Sequence, residues 1–290
     1  MVLTASLLVD CKATLGEAVH WHPGRRRVYW SDIEGRVLWS CEEDGARVRQ
    51  LPLSERLCDF ALADDGRFLG AFADGLGWLD PVTGERSLFE PYQPDLPQTR
   101  MNDGAVDRQG RFIVGGTDEA TQAPVTPVWR VDRGKVSPIL SDVAVANALA
   151  FSPDGAHMFF ADTPTGMILR YAYDVLTGVP GDPVIFAESG PNDGLPDGAC
   201  IDSKGALWSA RFGGGAVQRY LPDGRPDLRV TVSAPNVTNC ALGGRGWRKL
   251  FISTARAGMD AAALAACPEA GGLFVAEVPD AGLPEGTYRR

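Results

Sequence analysis

The chain has 290 residues, a net charge of −9 and a sequence pI near 4.9, a balance that argues against nucleic acid as a partner, since such binding depends on Lys and Arg neutralising phosphates. No stretch reaches the apolar length of a membrane helix, and MVLTASLLVD lacks a basic region ahead of a long apolar core, so a cytoplasmic chain without a signal segment is expected. With 34 Gly, 21 Pro, many short apolar runs and almost no helical periodicity, the composition predicts an all-β protein rich in turns.

In chain order, SLLVD from Ser6 is a first strand that precedes everything periodic. Six copies of one design then follow: AVHWHPGRRRVYW from Ala18, FALADDGRFLGAF from Phe60, GAVDRQGRFIVGG from Gly104, ALAFSPDGAHMFF from Ala148, GACIDSKGALWSA from Gly198 and NCALGGRGWRKLFIS from Asn239. Each is an apolar run, a tight polar turn and a second apolar run. Taking Arg25, Gly66, Gly110, Gly155, Gly205 and Gly246 as anchors, the spacings are 41, 44, 45, 50 and 41 residues. Such periods are those of propeller blades. Third strands follow as VLW, LGWLD, PVWRVD, ILRYAYD, VQRY and GLFVAEV, and a short helix is expected around Met259 to Cys267. No room remains for another blade, so SLLVD is expected to complete the last one. The reading is a single six-bladed β-propeller domain over residues 1–290. The Arg25, Arg26, Arg27 cluster reads as solvated surface, and the six cysteines, which show no metal spacing, as reduced and mostly buried.

Eight residues before the anchors stand Glu17, Cys58, Asn102, Asn147, Asp197 and Thr238. In a propeller this column lies just before the innermost strands and rings one mouth of the central channel. Four of its members are oxygen-bearing Glu, Asn or Asp, which would repel or go unsatisfied without a cation between them. Oxygen-only ligation points to one divalent ion, with calcium, magnesium, manganese, zinc and ferrous iron all open. Loops around Asp32–Gly35, Asp74–Gly75, Thr117–Pro127, Asp162–Gly166, Arg211–Gly215 and Thr254–Gly271 are expected to surround it, and their polar residues, Asp32, Asp118, Glu119, Asp162 and Arg211, suit a polar ligand. His20, His22 and His157 accompany no nucleophile motif and read as structural.

The segments TLGEAVHW, RMNDGAVDRQGRFIVGGT, NALAFSPDG, ADTPTGMILRY, PDGACIDSKGALWSA and GGGAVQRYLPDG together resemble the senescence marker protein/gluconolactonase family of six-bladed propeller lactonases, over roughly residues 8 to 280. The resemblance implies a metal held by Glu17, Asn147 and Asp197, with Asn102 lining the pocket and Arg100 contacting substrate. It implies hydrolysis of a sugar-acid lactone to the free aldonate, Asp197 taking the proton from attacking water or only positioning it. Asp118, Glu119 and Arg211 are further candidate substrate contacts. Departures are Ala148, where relatives usually carry Gly, Ala120, where they commonly carry Glu, and Arg211, where an aromatic is frequent. A calcium-dependent phosphotriesterase-like propeller and a non-enzymatic metal-binding interaction propeller are the alternatives. Sugar configuration, native metal and oligomeric state are not fixed by the residues.

Overall fold

The computed structural model describes residues 1–290, which form two compact units: Met1–Pro52 with Ser189–Leu283, and Leu53–Glu188 with Pro284–Arg290. The first unit opens with β1 (Val2–Thr4) and β2 (Ser6–Val9), then a four-stranded sheet of β3 (Gly16–His22), β4 (Arg27–Asp32), β5 (Val37–Glu42) and β6 (Arg49–Pro52). The second unit holds three antiparallel sheets of four consecutive strands each. They are β7 (Leu57–Leu62), β8 (Phe68–Phe72), β9 (Gly75–Leu79) and β10 (Arg86–Pro91); β11 (Thr99–Val106), β12 (Phe112–Asp118), β13 (Thr126–Asp132) and β14 (Lys135–Val143); and β15 (Ala146–Phe151), β16 (His157–Asp162), β17 (Met167–Asp174) and β18 (Val179–Glu188). The chain then returns to the first unit with β19 (Leu195–Ile201), β20 (Leu207–Phe212), β21 (Ala216–Tyr220) and β22 (Pro226–Thr231), and with β23 (Val237–Gly243), β24 (Lys249–Thr254), helix α1 (Ala261–Ala266) and β25 (Leu273–Glu277).

SLLVD does complete the last sheet, since β2 pairs antiparallel with β25 in the order β2-β25-β24-β23. One pairing was not legible: β1 adds to the fifth sheet, parallel to β22, with Leu3 opposite Val230. That sheet thereby gains a fifth strand and covers an edge that would otherwise be open.

Alternation along each strand builds the cores. On β20, Trp208 and Ala210 join Val217, Val230, Leu242, Ile252 and Phe274 in one buried cluster of the first unit, while Ser209 and Arg211 take the opposite face of the strand. In the second unit Ile113, Leu149, Phe151, Met158 and Tyr171 do the same. The Val, Leu, Ile, Phe and Met side chains among these each contribute roughly 1.5–3 kcal/mol on burial.

Two of the repeat turns are built on a buried Asp. Asp107 accepts from the backbone N–H of Gln109 and Arg111 and pairs at 2.5 Å with the Arg111 side chain, and Asp202 accepts from Lys204 and Ala206 and pairs with Arg219 at 2.8 Å. Arg27 departs from the surface expectation: it is buried and donates to Ser40 and to the Arg47 carbonyl. The last residues strap the second unit, where Tyr288 is fully buried, donates its N–H to Leu62 O at 2.8 Å and accepts from Gly134 N–H at 2.7 Å. No helix is long and apolar enough to cross a membrane.

Candidate active site

Glu17, Cys58, Asn102, Asn147, Asp197 and Thr238 lie inside the first strands of their sheets, not ahead of them as the period alone suggests. At every one of these positions the register against the second strand shifts: between Glu17 and His20, Leu57 and Asp59, Met101 and Gly104, Asn147 and Ala150, Pro196 and Ala199, and Val237 and Asn239. A bulge breaks the pleat's strict alternation and re-aims a side chain. Six bulges therefore set the column. After Glu17 and Asn147 the next residue takes a left-handed conformation, Ala18 at φ 52° and Ala148 at φ 54°. That backbone favours glycine, so both alanines sit in a conformation that is costly for them.

In the second unit the bulges are braced from sheet to sheet. Asp59, buried beside Cys58, accepts from its own neighbour Phe60 N–H and from Gly104 N–H, both at 2.6 Å. Asp103 repeats this on the next sheet by accepting from Leu149 N–H at 2.8 Å. Asp103 thus braces β15 from β11.

A continuous polar chain runs through the same unit. Arg56 holds both oxygens of Glu119, at 2.9 and 3.0 Å, and the buried Arg100 donates Nε to Glu119 Oε1 at 2.8 Å. Arg100 Nη1 donates to Met101 O at 2.9 Å and to Asn102 Oδ1 at 2.6 Å. The Asn102 amide donates to Ala146 O at 2.8 Å and, more weakly, to Asn147 Oδ1 at 3.3 Å, while the Asn147 amide donates to Thr163 Oγ1 at 2.8 Å. The chain fixes both amides. Asn102 turns its carbonyl to Arg100 and its nitrogen to Asn147, so it is no fourth oxygen of a ring. Burial alone would raise the Glu119 carboxyl, but hydrogen bonds and charge from Arg56 and Arg100 outweigh it and hold that carboxyl below its ordinary 4.5. The Cys58 thiol lies against Arg100, and burial pushes it up to about 11 in spite of that charge.

Three carboxylates that suggested a polar rim are the last residues of β4, β12 and β16, and each is taken up mainly by backbone. Asp118 accepts from Ala120 N–H, Thr121 Oγ1 and Ala123 N–H, building the turn that carries Glu119. Asp32 accepts from Thr14, Leu15 and Gly35 N–H, and Asp162 from Ala144 and Val145 N–H, fixing the segments that lead into β3 and β15.

In the first unit Asp197 is buried and its Oδ1 accepts from Gly198 N–H at 3.1 Å. Gly198 has no room for a side chain, since a Cβ there would stand 2.2 Å from Asn239 Nδ2. Glu17 follows Gly16, whose carbonyl accepts from Thr238 Oγ1 at 2.5 Å. Arg211 pairs across the strands with Pro196, is fully buried, and donates to Ser189 Oγ, to Gly194 O at 2.9 Å and to Asp193 O at 3.4 Å, which ties down the segment that leads into β19. Its Nη1 is buried without a partner, and burial lowers the guanidinium's proton affinity.

Arg56, Thr163 and Asp59 escaped the sequence reading. Arg56 was findable, because it stands two residues before Cys58 as Arg100 stands two before Asn102.

The fold is an all-β, six-bladed propeller, and the chain belongs to the SMP-30/Gluconolactonase/LRE-like family, whose model matches residues 15–256. It is 39% identical over 288 residues to L-arabinolactonase of Azospirillum brasilense, covering 96% of this chain and 93% of that one. It is 34% identical to Pentonolactonase XacC of Haloferax volcanii, covering 98% and 97% of the two. Among solved structures it resembles a calcium-binding protein, regucalcin, of Agrobacterium tumefaciens, with a TM-score of 0.95 at 30% identity over 100% of this chain and 99% of that one.

Proposed function

We propose that the protein is a carboxylic ester hydrolase that opens the lactone of a sugar acid to the free aldonate, using one divalent cation held by Glu17, Asn147 and Asp197. The six blades are taken as one domain over residues 1–290. The observation that carries the residue assignment is the bulge at each of these three positions, which takes their side chains out of the alternation of their strands. Lactone opening is supported by the relatives named as lactonases, up to 39% identical over most of the chain.

The donor set fits a hard or borderline cation. Glu17 and Asp197 bring two carboxylates, and the Asn147 amide nitrogen is taken by Thr163, which leaves its oxygen as the acceptor. Calcium is one candidate, supported by the description of the regucalcin relative as calcium-binding. When bound, such a cation supplies Lewis-acid polarisation of an ester carbonyl. The chain's own residues do the rest. Asp197 takes the proton of the attacking water. Arg100, its guanidinium fixed by Glu119 and Asn102, reads ring and exocyclic hydroxyls through its planar donor array. Asn102 and Glu119 offer neighbouring polar groups, while Asp118 and Arg211 serve through the segments they hold in place.

A panel of pentono- and hexonolactones, followed by acid release, tests the reading. At least one is expected to be hydrolysed, with Glu17→Gln nearly inactive at metal concentrations that saturate the wild type. Rates equal to buffer across the panel would refute it.

A further inference from the structure

Cys200 and Cys240 lie on β19 and β23, the first strands of two neighbouring sheets of the first unit, with their Sγ atoms 3.8 Å apart. Neither is in a disulfide. Cys240 is 1% exposed, with its sulfur 3.5 Å from Trp208 O, while Cys200 is partly open to solvent. We propose that Cys200 and Cys240 are a peroxide-oxidisable pair, Cys200 the attacking thiol and Cys240 the resolving one, whose disulfide joins β19 to β23.

The chemistry balances with hydrogen peroxide as oxidant. The Cys200 sulfur attacks one peroxide oxygen, the O–O bond breaks and one water leaves, giving a sulfenic acid. Cys240 sulfur then displaces the hydroxyl, the S–S bond forms and a second water leaves, so two thiols lose two electrons and two protons to one peroxide. A disulfide brings its sulfurs to about 2 Å, so each sulfur has about 1 Å to travel, within reach of a side-chain rotation and a small strand shift. Three other thiols of the chain are less suited. Burial pushes Cys41 up to about 12 and Cys58 up to about 11, and raises Cys11 as well, keeping these as inert thiols.

The location gives the link a consequence. Asp197 stands three residues before Cys200 on β19, and Thr238, which holds the carbonyl next to Glu17, stands two before Cys240 on β23. Drawing the two strands together shifts both. This consequence rests on the lactonase reading, whereas the thiol chemistry does not.

The test is peptide mapping by mass spectrometry of the folded protein after treatment with hydrogen peroxide and alkylation. A Cys200–Cys240 linked peptide, released by dithiothreitol, is expected, and in Cys240→Ser the Cys200 sulfenic acid should be trapped by dimedone. Recovery of both cysteines singly alkylated, or oxidation of each to the sulfinic acid with no linked peptide, would overturn the pair. Lactone opening read in parallel should fall about tenfold or more on linking and return on reduction, as expected for displaced catalytic groups. A full rate with the link in place would remove its coupling to the site.

Discussion

Glu119→Gln probes the polar chain at the link where charge matters most. The substitution keeps size and one oxygen but takes the negative charge from between two arginines. Arg56 and Arg100 together donate three hydrogen bonds to this carboxylate, at 2.8 to 3.0 Å. The Arg56 arm is partly exposed and worth little, on the order of 0–1 kcal/mol. The Arg100 arm differs, because that side chain is only 9% exposed and little water screens its positive charge. A hydrogen bond to a charged group is worth about 1.5–3 kcal/mol, and discounting for the 34% exposure of the Glu119 side chain leaves about 2 kcal/mol. If Arg100 reads substrate, that loosening appears in kcat/KM for an aldonolactone as a fall of roughly 30-fold, with bound metal unchanged. The sign with pH is fixed. A carboxyl held below 4.5 in the fold gives its full stabilisation above the unfolded value and loses it as pH falls through the lower folded value. Wild type and variant therefore differ in stability at neutral pH and converge in acid. A variant with wild-type kcat/KM at neutral pH would refute the role of Glu119 in holding Arg100 for substrate.

Ala148→Val should destabilise by about 2 kcal/mol or more in urea unfolding, because a β-branched side chain is forced into a buried left-handed position; in an unbulged strand valine would be neutral or favourable, so the sign decides. Asp59→Ala leaves the Phe60 and Gly104 N–H groups buried without their acceptor and should cost about 2–3 kcal/mol by the same measurement. Asp197→Asn retains a ligand oxygen, so at saturating metal it should still bind an ion, more weakly, with turnover reduced about 100- to 10,000-fold; recovery of the rate by metal alone would make Asp197 a ligand and not the base.

The repeat was legible because its punctuation is local: a polar turn with Gly near a fixed offset, flanked by apolar runs, marks the same place in each sheet whatever the tertiary surroundings. Glu17, Asn102, Asn147 and Asp197 fell into one column for that reason, and α1 was expected from its alanines. What the column does was less legible. A bulge is a property of two paired strands, so the register shift at Asn147 and the left-handed Ala148 leave no local signature. The Asn102 amide points as it does because Arg100, Ala146 and Asn147 surround it, and residues 44 and 45 positions away carry no mark in sequence. Asp32 and Asp162 looked like rim carboxylates because a strand-end Asp that accepts from distant backbone has the same spelling as a solvated one. Arg27, between two surface-like arginines and an apolar strand, was settled by Ser40 and the Arg47 carbonyl across its sheet.

The central claim, lactone opening by a divalent-metal site on Glu17, Asn147 and Asp197, is tested most directly by stripping the protein with a chelator and titrating divalent metal back while following both bound metal and acid release from an aldonolactone. One ion per chain is predicted, with hydrolysis rising in step with its binding and with Glu17→Gln shifting both curves to higher metal concentration. Full activity in the metal-free protein would contradict the account.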